Sequence, residues 1–242
     1  MSHLVLLSGW GCDARIWQSL DGHWPTGVAV SAPDWPGYGA RPPLDEPGDL
    51  AALAEAMSAA LPTDAVWVGW SLGGLLAGAL LDHLPAPRAL VMLGMGPRFC
   101  HPQGVTEAEL AAFRGAFRRD ADATRAHFLR WQLGGEPAPR TAHRRLLDLL
   151  GRESPAATAT LATGLDWLAS LDVSRVLADP PCPVWRLAGE HDPLLAPEER
   201  ARADIRLAEA GHCPMLSRPE AVAATLADIA QRPEHSLLEA TP

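Results

Sequence analysis

The sequence predicts an α/β fold: a mostly parallel sheet flanked by helices, with a helical segment inserted after the fourth strand. Three observations predict it. Short apolar runs alternate with amphipathic stretches over residues 4–94, the rhythm of strand–helix units. Between about residues 97 and 172 only helical periodicity is visible. The alternation then resumes and runs to residue 231. The predicted division is a core of residues 1–96 and 173–242 and a helical insertion of residues 97–172.

Taken in order, residues 4–7 (Leu-Val-Leu-Leu) read as a buried strand, and 28–32 as a second, stopped by Pro33. An amphipathic helix over 49–61 ends at Pro62. Residues 65–69 read as a third strand, 72–84 as a helix ending before Pro85, and 89–94 as a fourth strand. In the insertion, Thr106 and Glu109 form a capping box ahead of a helix over 110–117. Further helices are predicted over 121–132, 141–150 and 155–170. A strand over 183–188, a short strand over 204–208 and a helix over 219–231 complete the core, and the residues after 233 read as a loose tail.

Composition narrows the function. The chain has 242 residues, 48% of them hydrophobic, and a net charge of −9. Such a chain builds an ordinary core without metal or disulfide staples, and its acidity argues against nucleic-acid binding. All 20 basic residues are arginines. Ten of them lie between Arg98 and Arg152 against six acidic residues, so this stretch carries +4 while the rest carries −13. A basic insertion on an acidic body suggests an acidic partner; a solvated helical face is the plainer alternative. Cys12, Cys100, Cys182 and Cys213 are far apart and show no ligand spacing, so reduced thiols in a cytoplasmic protein are expected. The first residues lack a basic segment and only four consecutive residues are apolar, so no signal peptide is expected. No apolar run is long enough to span a membrane.

The chemistry centres on Gly69-Trp70-Ser71-Leu72-Gly73, followed by Gly74, where a predicted strand gives way to a helix. This is the context a nucleophile elbow needs. Ser71 is lifted above the sheet in a strained turn, and side chains two positions before and after would clash, so glycine occupies both. A serine hydroxyl needs a base, and the base an orienting acid. Chain order calls for the acid next and then the histidine. Asp192 and His212 both sit in loops after predicted strands, at the sheet edge where open α/β sheets carry their sites. His191 is an alternative base and Glu190 an alternative acid. The oxyanion donors are expected to be the backbone N–H of Leu72 and that of Trp10, in Ser8-Gly9-Trp10-Gly11. The loop Asp34-Trp35-Pro36-Gly37-Tyr38-Gly39 is either a shaped turn or part of the site. No phosphate or dinucleotide loop and no metal-ligand spacing occurs, so chemistry without cofactor or metal is expected.

Together these segments resemble the α/β-hydrolase superfamily and, more narrowly, the pimeloyl-acyl-carrier-protein methyl ester esterases of biotin synthesis. The resemblance rests on His3-Leu4-Val5-Leu6-Leu7-Ser8-Gly9-Trp10-Gly11, the Asp-Trp-Pro-Gly loop, Trp67-Val68-Gly69-Trp70-Ser71-Leu72-Gly73-Gly74-Leu75 and Ala210-Gly211-His212-Cys213-Pro214. It implies the α/β-hydrolase fold, with the helical insertion as a lid over the site. It implies a serine esterase acting on a methyl ester at the far end of a dicarboxylic acyl chain borne by acyl carrier protein, and a monomeric enzyme. It implies that Trp10, Ser71, Leu72, Phe128, Gln132 and His212 contact the substrate, and that Arg140 and Arg144 help dock the acidic carrier. Two further docking positions fall on Ala123 and His127, with Arg118, Arg119, Arg125 and Arg130 nearby as replacements. Ser8 stands where the family has a histidine, and the family's first strand pair is missing, so the sheet is expected to lack one or two edge strands. A short-chain esterase or lactonase acting on a free small molecule is the nearest alternative; a non-catalytic ligand receptor on the same fold is a more distant one.

Overall fold

The computed structural model describes residues 2–232. The tail predicted after residue 233 lies outside them. Among the described residues, six strands form one sheet in the order β2-β1-β3-β4-β5-β6, with every pairing parallel. They are β1 (Ser2–Leu7), β2 (Val28–Ser31), β3 (Val66–Trp70), β4 (Ala89–Leu93), β5 (Val184–Gly189) and β6 (Ile205–Leu207). Strands β3 and β4 are buried at every position, as expected of strands covered on both faces.

The topology fixes where a site can form. The chain leaves β1 for β2 at the edge, then returns past β1 to β3. The order therefore reverses between β1 and β3, and the crevice beyond the carboxyl ends of strands at such a switch is where open α/β sheets bind ligands. Leu7 at the end of β1 pairs with Gly69 near the end of β3. The loop after β1 and the turn after β3 thus emerge side by side.

The helices follow the predicted periodicity, with ends adjusted by local bonding. They are α1 (Leu50–Met57), capped by Asp49, then α2 (Leu72–Leu80), α3 (Glu107–Arg119) and α4 (Ala121–Trp131). Next come α5 (Pro139–Leu150), α6 (Thr158–Ser170), α7 (Ser174–Ala178), α8 (Pro197–Ala201), α9 (Pro214–Ser217) and α10 (Pro219–Gln231). The capping box forms: Thr106 Oγ1 accepts from Glu109 N, and Glu109 accepts from Thr106 N at 2.8 Å. Helix α6 starts three residues later than predicted. The backbone of Pro155 and Ala156 is already engaged, by Gly39 N and by a bridge to Tyr38. The short α7, α8 and α9 and a 3₁₀ helix over Ala14–Leu20 were not predicted; each is too short to show a period.

Helices α3 to α6 lie between β4 and β5 in sequence, where the insertion was predicted. They pack on the core through a cluster of aromatic side chains. Trp10 meets Phe113, Phe117 and Phe128 edge to face, with ring centroids 5.0–5.7 Å apart.

Candidate active site

The site begins with backbone geometry. Ser71 has φ 54° and ψ −126°, a left-handed conformation that is costly for a side-chain-bearing residue. It is held by its N–H to Leu93 O at 2.9 Å and by Gly74 N donating to its carbonyl at 2.9 Å. The glycines around it are obligatory. A Cβ on Gly69 would stand 2.4 Å from Gly73 O, and one on Gly73 would stand 2.5 Å from Leu7 O. Close approach of α2 to the end of β1 is therefore what lifts Ser71 to the sheet edge.

His212 and Asp192 meet in the interior. His212 Nδ1 and Asp192 Oδ2 are 2.8 Å apart, and both residues are fully buried. The second carboxylate oxygen of Asp192 accepts from Leu194 N at 2.8 Å and Leu195 N at 3.2 Å. Arg200 donates to the carbonyls of Asp192 and Leu195 at 2.7 and 2.6 Å. The acid is thus oriented from three directions. His212 Nε2 is buried with no hydrogen-bond partner among the described residues, which leaves that nitrogen free for a proton acceptor's task. The two alternatives do not join this pair. His191 is exposed, and Glu190 lies beside it at 3.8 Å.

The donors predicted for an oxyanion are available. Among the described residues neither Trp10 N–H nor Leu72 N–H bonds to another residue, and Leu72, at the start of α2, has no preceding helical turn to accept from it. Gly9 sets their spacing, since a Cβ there would lie 2.9 Å from Ser71 Cβ. The loop after β2 supports this arrangement: Trp35 donates its indole N–H to Ser8 O at 2.9 Å, and Asp34 accepts from Ala14 N at 2.7 Å. Its predicted turn is therefore also the buttress of the loop after β1. The Ser8 hydroxyl itself is buried and unpaired among the described residues.

Two cavities border the loops around Ser71, one through Trp10 and the other through Leu72, and neither is lined by Ser71, Asp192 or His212. One of about 480 Å³ is lined by Trp10, Phe113, Phe128, Trp131, Leu165 and Leu168. A smaller one of about 200 Å³ is lined by residues including Trp35, Tyr38, Leu72, Gly164 and Trp167. Trp10 and Gly164 stand between them, for a Cβ on Gly164 would lie 2.7 Å from the Trp10 ring. Phe128 lines the larger, apolar cavity, while Gln132 does not. Gln132 is fully buried beside Cys12, and both its amide atoms are unpaired among the described residues.

Of the arginines, Arg140 and Arg144 are exposed on α5, as are Arg118, Arg119 and Arg130 on α3 and α4. Arg125 is not a surface residue. It is 4% exposed and donates from Nε to Gly11 O at 3.1 Å, and burial pushes its guanidinium below its ordinary pKa. It belongs to the support of the loop after β1, and an acidic partner cannot reach it.

Sequence reasoning missed several residues that shape the site. Gly94 has φ +64°, and a Cβ there would fall 3.1 Å from both Asp192 Oδ2 and His212 Nδ1. Trp70 and Arg200 hold the loops of His212 and Asp192. Only its place directly after a strand could have pointed to Gly94; nothing local marks the others.

Comparison with known proteins places this geometry in a family. The model of the alpha/beta hydrolase family matches residues 4–225. The pimeloyl-[acyl-carrier protein] methyl ester esterase of Aromatoleum aromaticum is 35% identical, over 93% of this chain and 97% of that protein. This chain belongs to that family. The esterase of the same name from Sodalis glossinidius is 32% identical over 94% of this chain and 93% of its own. Among solved structures, an esterase from Exiguobacterium antarcticum superposes with a TM-score of 0.79 at 19% identity, covering 96% of this chain and 92% of that one. That likeness speaks for the fold. Among the described residues no helix is long and apolar enough to cross a membrane.

Proposed function

We propose that this esterase-family chain hydrolyses the methyl ester of a pimeloyl group carried on acyl carrier protein, with Ser71 as nucleophile, His212 as base and Asp192 as orienting acid. The observation that carries the reading is the buried Asp192–His212 hydrogen bond, tied through the His212 carbonyl to Trp70, the residue before the strained Ser71.

The chemistry follows two-step acyl transfer. Ser71 Oγ attacks the ester carbonyl as His212 Nε2 takes its proton. The N–H groups of Trp10 and Leu72 receive the oxyanion; each such donor is worth about 3–4 kcal/mol in the transition state. The C–O bond to methoxide breaks, and His212 returns the proton so that methanol leaves. His212 then takes a proton from water, whose oxygen attacks the acyl-serine. Collapse of that intermediate frees the acid and restores Ser71. Asp192 fixes the tautomer with the proton on Nδ1 and stabilises the imidazolium.

Helices α3 to α6 act in this reading as a lid. The apolar cavity beside Trp10 and Phe128 suits the methylene chain, and Trp10 is the residue common to the cavity and the oxyanion loop. Arg140 and Arg144, one turn apart and exposed on α5, suit an acidic carrier. Gln132 takes part by packing beneath the oxyanion loop near Cys12. Ser71→Ala tests the assignment: ester hydrolysis and labelling by a fluorophosphonate should both disappear while the circular dichroism spectrum is kept. Turnover at the wild-type rate would refute it.

A further inference from the structure

A buried carboxylate from outside the Asp192–His212 pair grips the histidine's loop. Glu136 lies on the connection between α4 and α5, among the inserted helices, and is only 4% exposed. One of its oxygens accepts from Cys213 N at 2.8 Å, the backbone group directly after His212. The other accepts from the hydroxyl of Ser217, on α9. No cation lies within ion-pair distance of it among the described residues. A charge this deep is costly to bury unless its bonds are well placed. Here two donors satisfy it, both on the segment that carries His212.

The backbone around Glu136 is fitted to the same segment. A Cβ on Gly135 would lie 1.8 Å from His191 O, and a Cβ on Gly211 would lie 2.7 Å from the carbonyl carbon of Gly135 and 2.8 Å from Glu136 Oε1. Main chain therefore touches main chain on both sides of the carboxylate, between Asp192's loop and His212's loop. Three residues further on, α5 begins. Its Arg145 donates to Leu216 O at 2.9 Å and to Ser19 O at 3.2 Å. The inserted helices are thus tied to the His212 segment at two points, of which Glu136 is the nearer to the imidazole. The negative charge also reaches Cys213, whose thiol is raised by burial and then by Glu136.

We infer that Glu136 is a positioning residue for His212. Its carboxylate holds Cys213 N–H, and with it the imidazole, in the position from which Nε2 serves Ser71 in the proposed mechanism. The inserted helices then do more than cover the site, since without this contact the base is displaced even when the substrate needs no lid. The inference rests on His212 acting as the base, but not on the carrier-bound substrate.

The experiment uses the whole chain and a p-nitrophenyl ester, which requires no carrier. Glu136→Ala removes the acceptor, Glu136→Gln keeps an oxygen at the same reach, and Glu136→Asp withdraws it by one methylene. The expected result is a loss in kcat of about tenfold or more for Glu136→Ala and Glu136→Asp with KM within twofold, from displacement of a catalytic group. Glu136→Gln should keep kcat within about threefold by preserving the hydrogen bond. The downfield proton resonance of the Asp192–His212 hydrogen bond should be present in the wild type and Glu136→Gln, and lost or broadened in Glu136→Asp. Should Glu136→Ala fail to fold, the contrast between Glu136→Asp and Glu136→Gln decides. Unchanged kcat and resonance in a folded Glu136→Asp, with only a lowered melting temperature, would overturn the inference and leave a purely structural contact. An inactive wild type, or an active Ser71→Ala, would instead strike the assignment of the site.

Discussion

Trp70 donates its indole N–H to the carbonyl oxygen of His212 at 2.7 Å. The residue before Ser71 therefore holds the backbone of the residue that serves Ser71 as base in the proposed mechanism. The rings of Trp70 and His212 are 5.6 Å apart and tilted by 45°, so the indole also supports the imidazole. One side chain sets the spacing between the end of β3 and the loop after β6.

Trp70→Phe removes that bond and leaves a buried carbonyl unpaired, which costs about 1–3 kcal/mol. The expected outcome is a lower melting temperature and a kcat reduced roughly tenfold with KM little changed, since the base is misplaced rather than the substrate. Thermal unfolding and steady-state kinetics on the same preparation check it. A kcat equal to the wild type would show that the indole contributes stability alone.

Asp192→Asn is expected to lower kcat on the order of 10⁴-fold with the fold retained, a magnitude known for this exchange in another serine hydrolase. The local bonding explains why. Leu194 N and Leu195 N donate to one oxygen of Asp192, so an asparagine must place its oxygen there and turn its NH₂ toward His212 Nδ1. The imidazole then carries its proton on Nε2 and cannot accept one from Ser71. Crystallography of the variant and burst kinetics test both halves of the statement. Retained activity would return Glu190 to consideration as the acid.

The thiols should be inert in the folded protein. Burial pushes Cys12 up to about 12 and Cys182 up to about 11; burial and the charge of Glu136 hold Cys213 well above its ordinary value, and burial raises Cys100. Only the thiolate reacts, so at pH 8 Ellman's reagent should titrate native thiols slowly and all four after denaturation. The sign for stability follows by linkage. These raised values disfavour the folded state once unfolded thiols ionise, so stability is full below about pH 9 and falls as pH rises from there toward 12. A rapid stoichiometric reaction of the native protein at pH 8 would contradict the placement of these residues.

Much of the fold was legible because each signal was local. The apolar runs of β3 and β4 and the capping box at Thr106 and Glu109 are written in neighbouring residues. Ser71 was legible for the same reason: Gly69, Gly73 and Gly74 record contacts that admit no Cβ. The order of Asp192 and His212 followed from topology. What was not legible depends on contacts between distant segments. Nothing near Gly94 in sequence says that Asp192 and His212 will lie against it, and nothing near Glu136 says that Cys213 will donate to it. Gln132 shows the limit of periodicity. Its spacing from Phe128 places both on one side of α4, yet Phe128 meets the cavity while Gln132 is buried beside Cys12. Arg125 likewise looked like one more basic surface residue, and its burial against Gly11 is a tertiary fact.

The most direct test is methanol release from a pimeloyl methyl ester on acyl carrier protein, measured beside the same methyl ester without the carrier and a p-nitrophenyl ester. The account predicts kcat/KM on the carrier substrate well above both others and falling with ionic strength, because the proposed docking on the arginines of α5 would be electrostatic. Efficient turnover of the simple ester with none of the carrier substrate would contradict it, leaving a serine esterase of a free small molecule.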